Sequence, residues 1–172
     1  MGEPIFYKAE RFFPDKKYEE FSKIFNKAEL VTYDVCLCGV IHDENLLEEI
    51  ELAGRYVRGV KTKSWQSLLK TPLSVGEQII AYYKNPIESY EHHKMESDFE
   101  FCGYDLSEEM TGISALTNCG ELFSGAIPYE ELNKFGLISE YCEAFRIRKL
   151  LENLYPDEPH AECEVYELWR RL

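Results

Sequence analysis

Apolar positions along the 172-residue chain change period several times, and each change predicts an element. In Asp15 to Lys27, DKKYEEFSKIFNK, residues Tyr18, Phe21, Ile24 and Phe25 recur at helical spacing with charges opposite, and Pro14 suits the entry to the helix. VTYDVCLCGVI, residues 31 to 41, alternates Val31, Tyr33, Val35 and Leu37 and is rich in β-branched residues, which reads as a strand. Asp43 can then cap a helix with Leu46, Leu47 and Ile50 inward. GRYVRGV, residues 54 to 60, reads as a short strand, and KSWQSLLK as a helical turn around Trp65.

Further along, Ser74 and Glu77 form a capping-box pattern ahead of QIIAYYK, predicting a helix over about 75–84 that stops before Pro86. SDFEFCGYDLSE and TGISALTNC are two alternating runs joined by a polar turn with Gly112, the signature of a β-hairpin at about 98–119. A turn at Glu109 to Gly112 would pair 108 with 113 and set Cys102 opposite Cys119; a turn from Ser107 to Gly112 would offset the thiols. Pro128 suits the first turn of a helix that stops at Gly136. The longest predicted helix, SEYCEAFRIRKLLENLY, carries Ala144, Ile147, Leu151 and Leu154 as its inner stripe and is broken by Pro156 and Pro159. AECEVYELWRRL, residues 161 to 172, reads as a C-terminal strand, with helix as the alternative.

Helices and strands interleave, and the hairpin requires antiparallel pairing. The expected class is α+β: one domain over residues 1–172, with a mixed or mainly antiparallel sheet packed against several helices. An apolar share of 45% supplies enough material for a core.

Charge alters the picture more than composition does. The net charge is -13, and most of the excess falls in residues 95–145, where eleven acids face a single cation, Lys134. Between Glu51 and Glu77 the balance reverses: Arg55, Arg58, Lys61, Lys63 and Lys70 occur with no acid among them. A chain this acidic is ill suited to bind a phosphate backbone, so direct nucleic-acid binding is not expected. The N-terminal stretch is charged throughout, and no segment reaches the ~20 apolar residues of a membrane span, which points to a cytoplasmic protein with reduced cysteines.

The chemistry-bearing residues form no strong motif. Cys36, Cys38 and His42 give C-x-C-x3-H, and Cys102 and Cys119 could join them, but 36 and 38 fall on one face of an apolar strand, as core thiols do. No metal or other cofactor is therefore expected. Cys119, at a strand end before Gly120, could serve as a nucleophile if His42, His92, His93 or His160 supplied a base. Phosphate-loop, dinucleotide, nucleophile-elbow and kinase signatures are absent.

Two acidic groups remain as candidate partner-binding residues. One is Asp43, Glu44, Glu48, Glu49 and Glu51; the other is Asp105, Glu108, Glu109 and Glu121 around the hairpin. In size, charge and lack of catalytic signatures the chain resembles, in a general way, the small acidic cytosolic inhibitors that neutralise basic toxins, such as bacterial immunity proteins. The likeness is one of composition and not of motif. It implies a non-enzymatic binding protein that blocks the active site of a basic partner, a nuclease toxin for instance. A small enzyme with a cysteine/histidine site in a cleft beside the sheet is the alternative.

Overall fold

The computed structural model describes residues 6–11, 66, 77–86, 97–108, 114–116, 123–158 and 161–172. The predicted helix at 15–27, strand at 31–41, helix after Asp43 and strand at 54–60 lie outside the described residues. Gln66, within KSWQSLLK, is helical and exposed.

Four strands form one antiparallel sheet: β1 (Phe6–Arg11), β2 (Glu77–Lys84), β3 (Phe99–Ser107) and β4 (Glu164–Arg171), in the spatial order β1-β2-β4-β3. The C-terminal strand thus lies between β2 and β3. Its register runs Ile80↔Arg170 to Lys84↔Tyr166 on one side and Phe99↔Arg171 to Ser107↔Glu164 on the other. One helix, α1 (Tyr141–Leu154), and a short 3-10 turn at Tyr129–Glu131 complete the described elements. Together they make an antiparallel sheet with a helix packed on it, an α+β arrangement.

β2 overturns the helix predicted over about 75–84. The capping-box pattern is local, whereas the run IIAYY is buried from Ile79 to Tyr83 and bonded to strands on both sides. A strand buried on both faces reads as a continuous apolar stretch, which periodicity alone does not separate from a helix. Paired Ile and Tyr residues fit the pleat better than a helical turn. β2 ends at Asn85, whose positive φ of 43° is tolerated by a short polar side chain. Asn85 donates its amide to the Val165 carbonyl at 2.7 Å, so the turn stays tied to β4.

The hairpin prediction holds at its root and fails further along. Ser107 bridges Ser114 in antiparallel fashion, and the Ala115 amide donates to the Leu106 carbonyl at 2.7 Å. That register is the one in which 108 meets 113. Carried onward, it would bring 117 to Tyr104 and Cys119 to Cys102. Instead Ile138 takes both outward hydrogen bonds of Tyr104, at 2.8 and 3.0 Å, and the Asn133 side-chain amide donates to the Cys102 carbonyl at 2.8 Å. The loop 133–138 therefore replaces the second hairpin arm along this part of the β3 edge.

That replacement depends on a bulge. The β3–β4 register shifts between Phe101 and Gly103, and Gly103 has φ of +135°. A Cβ there would lie 2.8 Å from both the Ile138 carbonyl oxygen and the Leu137 Cβ, so only glycine allows the approach. Asn133 closes the loop: its Oδ1 accepts from the amides of Phe135 at 2.9 Å and Leu137 at 3.2 Å. Gly136, at φ 71°, completes the turn, and its amide donates to the Asn133 carbonyl. The helix predicted after Pro128 is thus one 3-10 turn followed by this loop.

α1 follows its predicted stripe except at the end. Ala144, Ile147 and Leu151 are fully buried, whereas Leu154 is 53% exposed. The helix stops at Leu154 because Pro156 disfavours a helical conformation at Tyr155, leaving Leu154 one turn beyond the packed face. Glu143 in the first turn suits the positive end of the helix. Register sets Ala81, Trp169 and Phe101 in one row across the sheet, and Tyr83, Glu167 and Tyr104 in the second row from it, beyond Tyr82, Leu168 and Gly103. Phe101 meets both Trp169 and Tyr104 edge-on at 5.4 Å, and Tyr104 meets Tyr141 of α1 at 6.0 Å. These contacts join the helix to the sheet.

Candidate functional site

Asp105 is not a surface carboxylate. It is 1% exposed, and its oxygens accept from the Leu106 amide at 2.8 Å, from the Ser107 hydroxyl at 2.6 Å and from the Ser114 hydroxyl. Ser114 Oγ in turn accepts from the Leu116 amide at 3.2 Å. The alternation of SDFEFCGYDLSE placed Asp105 among the acids of a displayed turn. In the fold it holds that turn's two ends together from inside, because Ser107 reaches it along β3 and Ser114 reaches it from the other side of the 107–114 bridge. Presenting it to a partner would mean breaking the root of the reversal.

Glu108 follows directly after β3 and is half-buried. The remaining candidates, Asp43, Glu44, Glu48, Glu49, Glu51, Glu109 and Glu121, lie outside the described residues. Of the predicted partner-binding set, the structure therefore places Asp105 and Glu108 only, the first inside β3 and the second directly after its end.

Other acids do reach solvent. Glu130 and Glu131 on the 3-10 turn, Glu140 just before α1, Glu152 within it, and Asp157, Glu158 and Glu162 beyond it are all exposed. Glu130 and Glu131 stand out in the sequence as a paired carboxylate, but their bearing on a binding surface depends on the loop that carries them around the β3 edge. Several nearby cations are engaged with acids. Arg170 holds Glu100, Arg171 holds Asp98 at 3.3 Å, and Arg146 donates to Glu143 at 2.7 Å. Glu164 meets Lys84 at 3.5 Å and Arg148 at 3.2 Å, tying β2, α1 and β4 at one end of the sheet. The hydrogen bond from Arg146 holds the Glu143 carboxyl below its ordinary range.

A second buried carboxylate, Glu167, escaped the sequence reading. It is 2% exposed in the middle of β4 and accepts from the Trp169 indole N–H at 2.7 Å. Burial first, and then the Glu167 charge, push the Tyr104 hydroxyl well above its usual range. The signal available was position: Glu167 is flanked by Val165 and Tyr166 on one side and by Leu168 and Trp169 on the other, in the middle of the strand.

Two of the cysteines are core groups. Burial pushes the thiols of both Cys102 and Cys163 up to about 12, so neither forms a thiolate near neutral pH. Cys142, on the first turn of α1, is exposed. Cys119, Cys36, Cys38 and all four histidines lie outside the described residues, so the geometry of the cysteine/histidine alternative and of the C-x-C-x3-H pattern does too. Among the described residues no three His, Cys, Asp or Glu side chains group as a metal site. No helix among them is long and apolar enough to cross a membrane.

Comparison of the chain with protein-family models, with curated proteins and with solved structures returned no match.

Proposed function

We propose that this chain is an acidic cytoplasmic binding protein that neutralises a basic partner by covering its active site, as an immunity-protein-like inhibitor covers a toxin. A nuclease is the class of partner that fits best, because its site is built to hold phosphates with Lys and Arg, and carboxylates can occupy the same cations. The observation that carries this reading is the set of exposed carboxylates from Glu130 to Glu162, in a part of the fold where Arg146, Arg148, Arg170 and Arg171 each sit against an acid. Each pair cancels one acid with one cation, so the exposed carboxylates outside these pairs keep the field of this part of the fold negative. Such a field speeds encounter with a cationic protein and disfavours other partners. Glu108 and the 43–51 group belong to the proposed contact surface; Asp105 does not.

The test begins with capture of a basic protein from the native host on the immobilised chain, at low and at high salt. The captured protein is then produced alone, and its catalytic activity is titrated with the chain. Stoichiometric loss of activity is expected. Reversing Glu130, Glu131 and Glu140 to Lys together should slow association by about tenfold or more and flatten its salt dependence. A captured protein whose activity is untouched by excess chain, or whose association ignores the reversals both there and at Glu108 and the 43–51 acids, would defeat the proposal.

A further inference from the structure

We draw no further inference here: the strongest candidate, the ladder of aromatic rings that runs from Trp169 through Phe101, Tyr104 and Tyr141 to Phe145 and is half-buried at both ends, is an apolar face with nothing in the structure to show what covers it.

Discussion

Replacing Asp105 separates an internal carboxylate from a displayed one. In Asp105→Ala the Leu106 amide and the hydroxyls of Ser107 and Ser114 lose an acceptor that now lies 2.8 Å or less from each. Hydrogen bonds to a charged group are worth roughly 1.5–3 kcal/mol apiece, and an orphaned buried donor costs about 1–3 kcal/mol. Two terms reduce the sum. The serine hydroxyls can turn toward each other or toward backbone oxygens, and removing the carboxylate recovers the several kcal/mol that desolvating it required. A net loss of about 2–4 kcal/mol remains, carried mainly by the Leu106 amide, which cannot turn. Asp105→Asn keeps the shape and one oxygen, and the Ser107 hydroxyl can rotate to accept from the new amide, so about 0.5–2 kcal/mol is expected.

Urea denaturation followed by tryptophan fluorescence gives the order: parent most stable, then Asp105→Asn, then Asp105→Ala. At roughly 2–4 °C per kcal/mol for a chain of this size, the alanine variant should melt about 5–15 °C lower. Binding supplies the contrast. Asp105→Asn, still folded, should associate with a basic partner at the parental rate, since its charge does not reach the surface. Stability of Asp105→Ala within about 0.5 kcal/mol of the parent would refute the internal role, because substitutions away from such features fall in that range. So would an Asp105→Asn variant that is fully stable yet slow to associate.

Three more outcomes follow from the same packing. Gly103→Ala should lose about 3 kcal/mol or more, because its Cβ would strike backbone and a neighbouring Cβ in a conformation that alanine disfavours; a melting temperature equal to the parent's would count against the bulge. Leu151→Ala should lose about 2–5 kcal/mol and Leu154→Ala less than about 0.5 kcal/mol, a split measurable by chemical denaturation that equal losses would contradict. For the thiols, Cys142 should react with a thiol reagent at pH 8 while Cys102 and Cys163 react only on unfolding, with mass spectrometry assigning the sites. Their raised values mean the folded state favours the neutral thiol, so that stability is complete below the ordinary value of 9.0 and is lost as pH climbs from there toward about 12. The loss should be on the order of 1 kcal/mol per thiol by pH 10, and a stability unchanged from pH 8 to 10 would oppose it.

Local signals were legible where local forces decide. The stripe Ala144, Ile147 and Leu151 and the stop at Pro156 specify α1 without reference to the rest of the chain. The reversal after Ser107 was also readable, since two alternating runs around a polar turn have few other options. β2 was not, because its character comes from strands far away: Tyr83 pairs with Glu167, and nothing near Ser74 and Glu77 reports that partner. β1 has no reading at all, since Phe6 to Arg11 is short and mixes charge with aromatics; it is a strand because Gln78 and Ile80 of β2 lie beside it. The second hairpin arm failed for a related reason. Alternation shows that a segment can pair, but not that Ile138 outcompetes it for Tyr104.

The same distinction governs the acidic surface. A net charge treats every carboxylate alike, yet Asp105 and Glu167 are interior groups that hold a turn and an indole in place. Glu100, Asp98 and Glu164 are anchored to arginines of the sheet and helix. Subtracting these acids from the total without also subtracting their partners would suggest that the acidic field is weaker than it looks. Each such pair removes a cation as well, however, so ion pairing leaves the outward balance unchanged while fixing the fold beneath it. Burial is different: Asp105 and Glu167 sit where hydrogen-bond donors and not solvent answer their charge. The outward field therefore rests on acids such as Glu130, Glu131 and Glu140, carried by a loop and a helix start that Asn133 and Gly103 hold against β3. If that field steers a basic partner, loosening the Asn133 loop should weaken association even with every surface carboxylate intact, because the charges would no longer be held in one place.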